Sequence, residues 1–441
     1  MYLSSNNCQF NCCATSMPLV FGAIADDFTG GLELASVLVR GGIRTRMLTR
    51  FAKTEDLAEV AAVVVGLKTR VASKDRAVRA FARAADLLAA AAPRQLFFKY
   101  CATFDSTRHG NIGPCADLLA DRLGADFTAF CPAFPEVKRT VFQGHLFAFD
   151  QIISESPKRL DPLTPMRDPN LVRVLQQQTR HRVGLIRHED FKDGANAVQA
   201  RIATLKNDGV RYAIADGADE DDLRALATAS VDWPLMTGGS SVVVYYPDLW
   251  RAEGLVDGPS PSSLPAVDGP AAVLAGSCAE RTAEQLVHFE RSRPVLRLDL
   301  ATVGDDPGAA GTAIAWAADR LASGPVAITT AAAPDAVAAI QGRFGRRRAA
   351  RMAEQLLGRI AVGLRDLGVR RFVIAGGETS GAVVEALRIR ALAVGRYEAP
   401  GQSKAVALGT PALSFYLKSG KLGPVDMFER VLAGTTSASS A

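Results

Sequence analysis

The chain of 441 residues contains no run of about 18 or more apolar residues, so no segment reads as a membrane-spanning helix. Strong charge of either sign is missing too. The 51 Lys and Arg against 46 Asp and Glu leave +5, small for this length, and the basic residues are scattered. That argues against a nucleic-acid partner. The one dense basic cluster, "GRFGRRRAARM" (342–352), reads as a solvated helix face in preference to an electrostatic funnel for an anion. There is no disulfide framework: seven cysteines, an odd number without regular spacing, point to a reducing cytoplasm. Three of them, Cys8, Cys12 and Cys13, fall in the opening "MYLSSNNCQFNCCATS", which lacks the basic start and apolar core of a signal peptide. No His/Cys/Asp spacing fits a zinc site, so no protein-held metal is expected. Neither G-x-x-x-x-G-K-[ST] nor G-x-G-x-x-G occurs, which removes the Walker loop and weighs against a dinucleotide-dependent dehydrogenase.

What is present is the balance of a globular protein, 48% hydrophobic and 22% charged, with length for two domains. Strand-like runs alternate with Ala/Leu-rich helical patterns. "PLVFGAIA" (18–25), "AAVVVGL" (61–67), "QLFFKY" (95–100), "FTAFCP" (127–132), "HRVGLI" (181–186) and "RYAIAD" (211–216) read as strands. Helices are expected between them, over 31–42, 74–92, 114–124, 195–209 and 219–229. The Gly/Pro/Ser-rich latter half of "YYPDLWRAEGLVDGPSPSSLPAVDGP" (245–270) reads as a linker. A second series follows, with strands at 271–277, 295–300, 325–330 and 370–377 and helices from 280, over 309–324, near 346–366 and from about Thr379. The expectation is two α/β lobes with largely parallel sheets and a ligand cleft between them. The division is a disordered extension at 1–17, a first domain at 18–250, a linker at 251–270 and a second domain at 271–441.

Chemistry gathers at the expected carboxyl ends of strands, where open α/β sheets bind ligands. "GAIADDFTGG" (22–31) stops a buried strand on Asp26 and Asp27, two like charges that need compensation from helix amides, a ligand's hydroxyls or a metal ion. "KTR" (Lys68, Thr69, Arg70) follows the second strand, "KYCATFDSTRHGNIG" (99–113) the third and "CPAFPE" (131–136) the fourth. The cations Lys68, Arg70 and Lys99, the acids Asp26, Asp27 and Asp105, and the polar groups Ser106, Thr107 and Asn111 suit a small polyhydroxy carboxylate. Taken singly, each has an ordinary reading: a helix cap for Asp27, a snorkelling cation for Lys99 or Arg70, an Asx turn for Asp105 or Asn111. In the second half, "IAGGETSGAVV" (374–384), "AGSCAERT" (275–282) and "LKSGKLG" (417–423) are glycine or small-residue turns after strands, and together they suggest a nucleotide site.

The segments "IADDFTG", "DSTRHGNIG", "GGETSG" and "LKSGKLG" resemble the signatures of the four-carbon acid sugar kinases. "KYCATFDST", "FCPAFPEVKRTVFQGHLF" and "DPLTPMRDPNLVRVL" resemble the 3-oxo-tetronate kinase branch. The resemblance runs in order from about residue 18 to 432. It implies an N-terminal substrate domain, a C-terminal ATP domain and phosphoryl transfer from ATP to O4 of the acid, with Mg²⁺ accompanying ATP. Asp27 is then the expected base and Asp26 orients substrate hydroxyls. Lys68, Arg70, Lys99, Asp105, Ser106, Thr107 and Asn111 would hold the acid. Ser277, Gly376, Gly377, Glu378, Thr379 and Gly420 would hold ATP. The expected partners are a small-molecule acid sugar and ATP, with neither nucleic acid nor membrane; a homodimer is kept open. Two alternatives stand beside this reading, a D-threonate or D-erythronate kinase and a catalytically silent acid-sugar sensor.

Overall fold

The apolar run before the acid pair forms strand β1 (Phe21–Ala25), buried at all five residues. In chain order it is followed by β2 (Thr45–Leu48), β3 (Ala62–Gly66), β4 (Gln95–Lys99), β5 (Thr128–Cys131), β6 (Arg139–Phe142), β7 (His145–Ala148), β8 (Gln151–Ile152), β9 (Arg182–Ile186), β10 (Val210–Ala215) and β11 (Leu235–Gly238). The second half adds β12 (Ala271–Ala275), β13 (Val295–Arg297), β14 (Val326–Thr329), β15 (Arg371–Ala375), β16 (Ala391–Val394), β17 (Gln402–Ala407) and β18 (Leu413–Lys418). This computed structural model describes residues 19–434 other than 162, 260–262 and 305, so the extension at 1–17 with its three cysteines lies outside the described residues.

Two parallel blocks carry the two lobes, β2-β3-β1-β4-β11-β5-β10-β9 and β13-β14-β12-β15-β18. Helices cover them, as near-continuous apolar strands such as "AVVVG" require. The blocks are not separate sheets. β17 pairs antiparallel with β18 and with β16, and β16 pairs antiparallel with β2, so one fifteen-stranded sheet spans both lobes. The short antiparallel sheet β6-β7-β8 stands apart from it. Among the described residues no helix is long and apolar enough to cross a membrane.

Register decides which loops meet. Ala25 at the end of β1 lies opposite Gly66 of β3 and Lys99 of β4. The residues just past these three ends are therefore side by side. The second lobe repeats the construction: Ala375 at the end of β15 lies opposite Ala275 of β12 and Lys418 of β18. That sets Gly376, the turn at Gly276 and Ser277, and the turn at Ser419 and Gly420 together.

Two helices bring the sets into contact. The first, Phe28–Arg40, begins three residues before the glycine where periodicity alone would start it, because Asp27 caps it. Gly41 ends it, as expected. The other, Gly377–Ala386, packs across it. Gly381 makes that crossing close: a Cβ there would lie 3.4 Å from both Phe28 Cβ and Lys68 Cδ.

Candidate active site

The acid pair is neutralised from within. Arg70 grips Asp26 bidentately, Nε to Oδ2 at 3.0 Å and Nη2 to Oδ1 at 2.7 Å. Its Nη1 also reaches Asp27 Oδ2 at 3.0 Å. The other Asp27 oxygen accepts the Gly30 amide at 2.7 Å, so this residue is the helix cap as well. Asp26 is not solvated: it is 6% exposed, and burial pushes its carboxyl above the ordinary value against the pull of Arg70. Arg70 is raised well above its own value, because the two aspartates outweigh burial, which acts to lower it. Of the two acids, Asp27 is the more accessible, with a quarter of its side chain exposed.

Lys68 and Lys99 behave differently. Lys68 crosses to the second lobe, with Nζ 2.6 Å from Glu354 and 3.5 Å from Glu378. Burial acts to lower this ammonium, but the two glutamates raise it. Lys99 is 3% exposed; its Nζ donates to the Tyr100 carbonyl at 2.8 Å and lies 3.9 Å from Glu33. It also stands beside Gly30, where a Cβ would come within 3.4 Å of the ammonium.

The loop after β4 wraps the far side of Arg70. Asp105 accepts from Lys158 at 2.6 Å and from Thr103 at 2.8 Å, with Arg70 at 3.8 Å. Burial acts to raise it, yet Lys158 and Arg70 hold it below the usual carboxylate range. Ser106 Oγ accepts from Gln178 at 2.9 Å. Asn111 donates to the Thr69 and Ala72 carbonyls at 2.8 and 2.9 Å, while its own Oδ1 is buried without a partner among the described residues. Asp26, Arg70, Asp105, Ser106 and Asn111 line one small cavity. Thr107 is not among them; its carbonyl accepts from Gln178 and its hydroxyl from the His109 amide. Lys158 and Glu354 were not anticipated. Lys158 lies three residues before Asp161, which opens the "DPLTPM" segment, but nothing local marks Glu354.

Other strand ends are structural. Asp216 is filled by the backbone amides of Gln143, Gly144 and His188, which anchors the β6–β7 turn. Ser240 donates to Glu33, and Ser241 to the Ala133 carbonyl. Burial pushes the Cys101 and Cys131 thiols up, in keeping with packing residues.

In the second lobe the glycines touch. A Cβ on Gly420 would collide with Ser277 Oγ, and one on Gly376 would lie 3.0 Å from Thr379 Oγ1 and 3.4 Å from Ser277. Gly376 also has φ +122°, a conformation that favours glycine. It is the N-cap of the helix Gly377–Ala386 but supplies no side chain to its amides. Lys418 is wholly buried and, among the described residues, has no carboxylate partner: it donates to Gln285 Oε1 at 2.6 Å, Thr282 Oγ1 at 3.2 Å and the Gly420 carbonyl at 3.4 Å, and burial lowers it to about 8. It pins the turn that carries Gly420.

The two constructions face one another. Thr29 Oγ1 donates to the Gly377 carbonyl at 3.5 Å, across 348 positions of sequence. Asp26, Asp27, Lys68, Arg70, Gly377 and Glu378 line a shared cavity of about 50 Å³. An acid-bearing helix start thus opposes an uncapped one.

Comparison with known proteins accords with this pairing. Residues 21–246 match the sugar-binding N-terminal domain family, and residues 272–428 match the nucleotide-binding C-terminal domain family. A 3-oxo-tetronate kinase of Cupriavidus necator is 46% identical over 418 residues, 94% of this chain and 96% of that protein. One from Pseudomonas fluorescens is 45% identical over 416 residues, again 94% and 96%. Among solved structures, a Salmonella typhimurium LT2 protein superposes with a TM-score of 0.81 at 34% identity, covering 94% of this chain and 98% of that one. A Haemophilus influenzae protein gives 0.74 at 36% identity over 92% and 98%. Both domains are matched in order, and relatives of this identity run its whole length: the chain belongs to the four-carbon acid sugar kinase family, in the 3-oxo-tetronate kinase branch.

Proposed function

We propose that this chain is an ATP-dependent kinase that phosphorylates the 4-hydroxyl of 3-oxo-tetronate to give 3-oxo-tetronate 4-phosphate. The observation that carries the reading is the opposition of Asp27 to Gly377 and Glu378 across one cavity. A hydroxyl held at Asp27 and a phosphate held at the helix start Gly377 would then be neighbours. The substrate oxygen attacks the γ-phosphorus, the bond to the β–γ bridging oxygen breaks, ADP leaves, and the hydroxyl proton passes to the Asp27 carboxylate. Asp26, fixed by Arg70, orients the hydroxyls. Lys68, Arg70 and Lys99 balance the acid's carboxylate, Asp105, Ser106 and Asn111 form the rest of its pocket, and Thr107 acts from behind it by holding Gln178 through its carbonyl. The free Asn111 Oδ1 supports that assignment, since a buried acceptor without a partner is costly and suits a ligand hydroxyl. ATP lies on Ser277, Gly376, Gly377, Glu378, Thr379 and Gly420, where, Glu378 apart, side chains are absent or small.

Mg²⁺ fits the donor set, since a hard cation that binds through one or two carboxylates and phosphate oxygens has Glu378 and Asp27 at hand. When bound it neutralises the β- and γ-phosphates. The cavity of about 50 Å³ holds one or two waters, so substrates enter by parting the lobes and loosening the Lys68–Glu354 pair. Closure then excludes the water that would compete for the phosphoryl group. In this reading residues 18–250 form the acid-sugar domain, 251–270 the linker and 271–441 the nucleotide domain. The enzyme works in the cytoplasm, with a small-molecule acid sugar and ATP as its partners.

A coupled ADP-release assay over 3-oxo-tetronate, D-threonate and D-erythronate tests the reading. It requires kcat/KM for 3-oxo-tetronate to exceed the others by at least about tenfold, or ~1.4 kcal/mol. Preference for threonate or erythronate would move the substrate within the family. No release with any acid that binds would make the chain a sensor.

A further inference from the structure

Beside the catalytic cavity lies a larger one that the phosphoryl-transfer reading does not use. Its volume is about 380 Å³, within the range of small-molecule pockets. It sits on the seam between the lobes. One wall is the face of the helix Lys74–Ala89 that carries Arg76, Ala80, Arg83, Ala84 and Leu87, at helical spacing. The floor is apolar, from Phe28, Val65 and Leu67. The second lobe closes it with Gly381, Val384 and Glu385 of the helix Gly377–Ala386. None of Ser277, Gly376 or Gly420 reaches it, so it is separate from the glycine turns.

Its rim is cationic. Arg50 lies over the Phe51 ring at 4.4 Å and pairs with Glu385 at 2.5 Å. Arg76 and Arg83 are exposed, and among the described residues neither has a hydrogen bond or ion pair. Two unpaired arginines two helical turns apart on one helix face, beside an apolar floor, suit a ligand with an anionic head and a flat apolar body. We propose that this seam is a second ligand site, for a small organic anion of that kind, distinct from both substrate positions. Its occupant touches both lobes and shares Phe28, Lys68, Thr69 and Gly381 with the catalytic cavity, so its presence would resist their separation.

The probe is 8-anilinonaphthalene-1-sulfonate, titrated by fluorescence into the full chain with and without saturating ATP. Two variants accompany it: the double variant Arg76→Glu, Arg83→Glu, which reverses the rim, and Ala80→Trp, which fills the cavity. The expected result is saturable binding that ATP does not displace and that each variant weakens by at least about tenfold, a decade being ~1.4 kcal/mol. The charge-reversal variant should release ADP at the unperturbed rate, because neither arginine belongs to the catalytic machinery. Equal affinity in wild type and both variants overturns the proposal. So does competitive displacement by ATP, which would make the seam the nucleotide's base pocket. Neither result depends on which acid the enzyme phosphorylates.

Discussion

Arg70 holds three carboxylates at once, and replacing it by methionine tests whether the site's charges are balanced as described. Methionine keeps the apolar stem and removes the guanidinium. Asp105 keeps Lys158 at 2.6 Å, and Asp27 keeps the Gly30 amide and partial exposure to water. Asp26 keeps nothing comparable: it is 6% exposed and loses both bonds of its bidentate pair. Removing one partner of a buried pair costs about 3–5 kcal/mol, most of it the charge left behind. That is a large part of a typical stability of about 5–15 kcal/mol, yet the variant should still fold. Adding Asp26→Asn removes the stranded charge and should recover at least about half the loss. The pH dependence has a definite sign. Without Arg70, Asp26 titrates higher still, so the native state holds a proton that the unfolded state has released, and stability falls as pH rises through that range. The loss should therefore be smaller at pH 5 than at pH 8. Urea unfolding followed by tryptophan fluorescence reads this, since Trp250 packs on Phe21 of β1 at 5.4 Å. A loss below about 1 kcal/mol at pH 8, against the range for buried pairs, or a further loss on adding Asp26→Asn, would refute the reasoning.

Asp27→Asn keeps the cap and removes the base: kcat should fall at least about 10²-fold in the ADP-release assay, with the unfolding midpoint nearly unchanged. Gly376→Val puts a side chain at φ +122° between Thr379 and Ser277; calorimetry should show ATP binding lost and acid-sugar binding kept. Lys418, lowered to about 8, holds fewer protons folded than unfolded, so stability should rise between about pH 8 and its ordinary value of 10.5 by up to about 3 kcal/mol. Lys418→Met should flatten that rise in pH-dependent denaturation.

The chemistry was legible because parallel strands put their carboxyl ends on one side, so charged residues recurring after successive apolar runs had to converge. The adjacency of β1 and β3 explains why Asp26 meets Arg70, and that of β1 and β4 why Lys99 stands beside Gly30. The partners of those residues were not legible. Lys68 and Glu354 are 286 positions apart, and no local pattern links them. The fused sheet was hidden for another reason. β2 is only "TRML", and β16 is "ALAV"; runs of four residues carry too little periodicity to be told from loop or helix. The start of the first helix was misjudged because Thr29, Gly30 and Gly31 are poor helix formers, while a capping aspartate outweighs three weak propensities.

The two lobes share one local design and differ at one position. In each, a buried strand ends, a residue caps the next helix, and that helix runs back over the sheet. In the first lobe the cap is Asp27, whose carboxylate takes the Gly30 amide, so that helix start is filled by the chain's own negative charge. In the second the cap is Gly376, which brings no side chain, so the amides of the helix Gly377–Ala386 have no side-chain acceptor at the cap. A helix start whose amides are already taken by a carboxylate repels phosphate; one whose cap brings none, with its first-turn Glu378 drawn to Lys68 at 3.5 Å, attracts it. The direction of transfer in the proposed reaction follows from that difference: phosphate is held where the cap is glycine, and the hydroxyl that takes it is held where the cap is aspartate. Thr29 touching Gly377 brings the two starts within one hydrogen bond of each other.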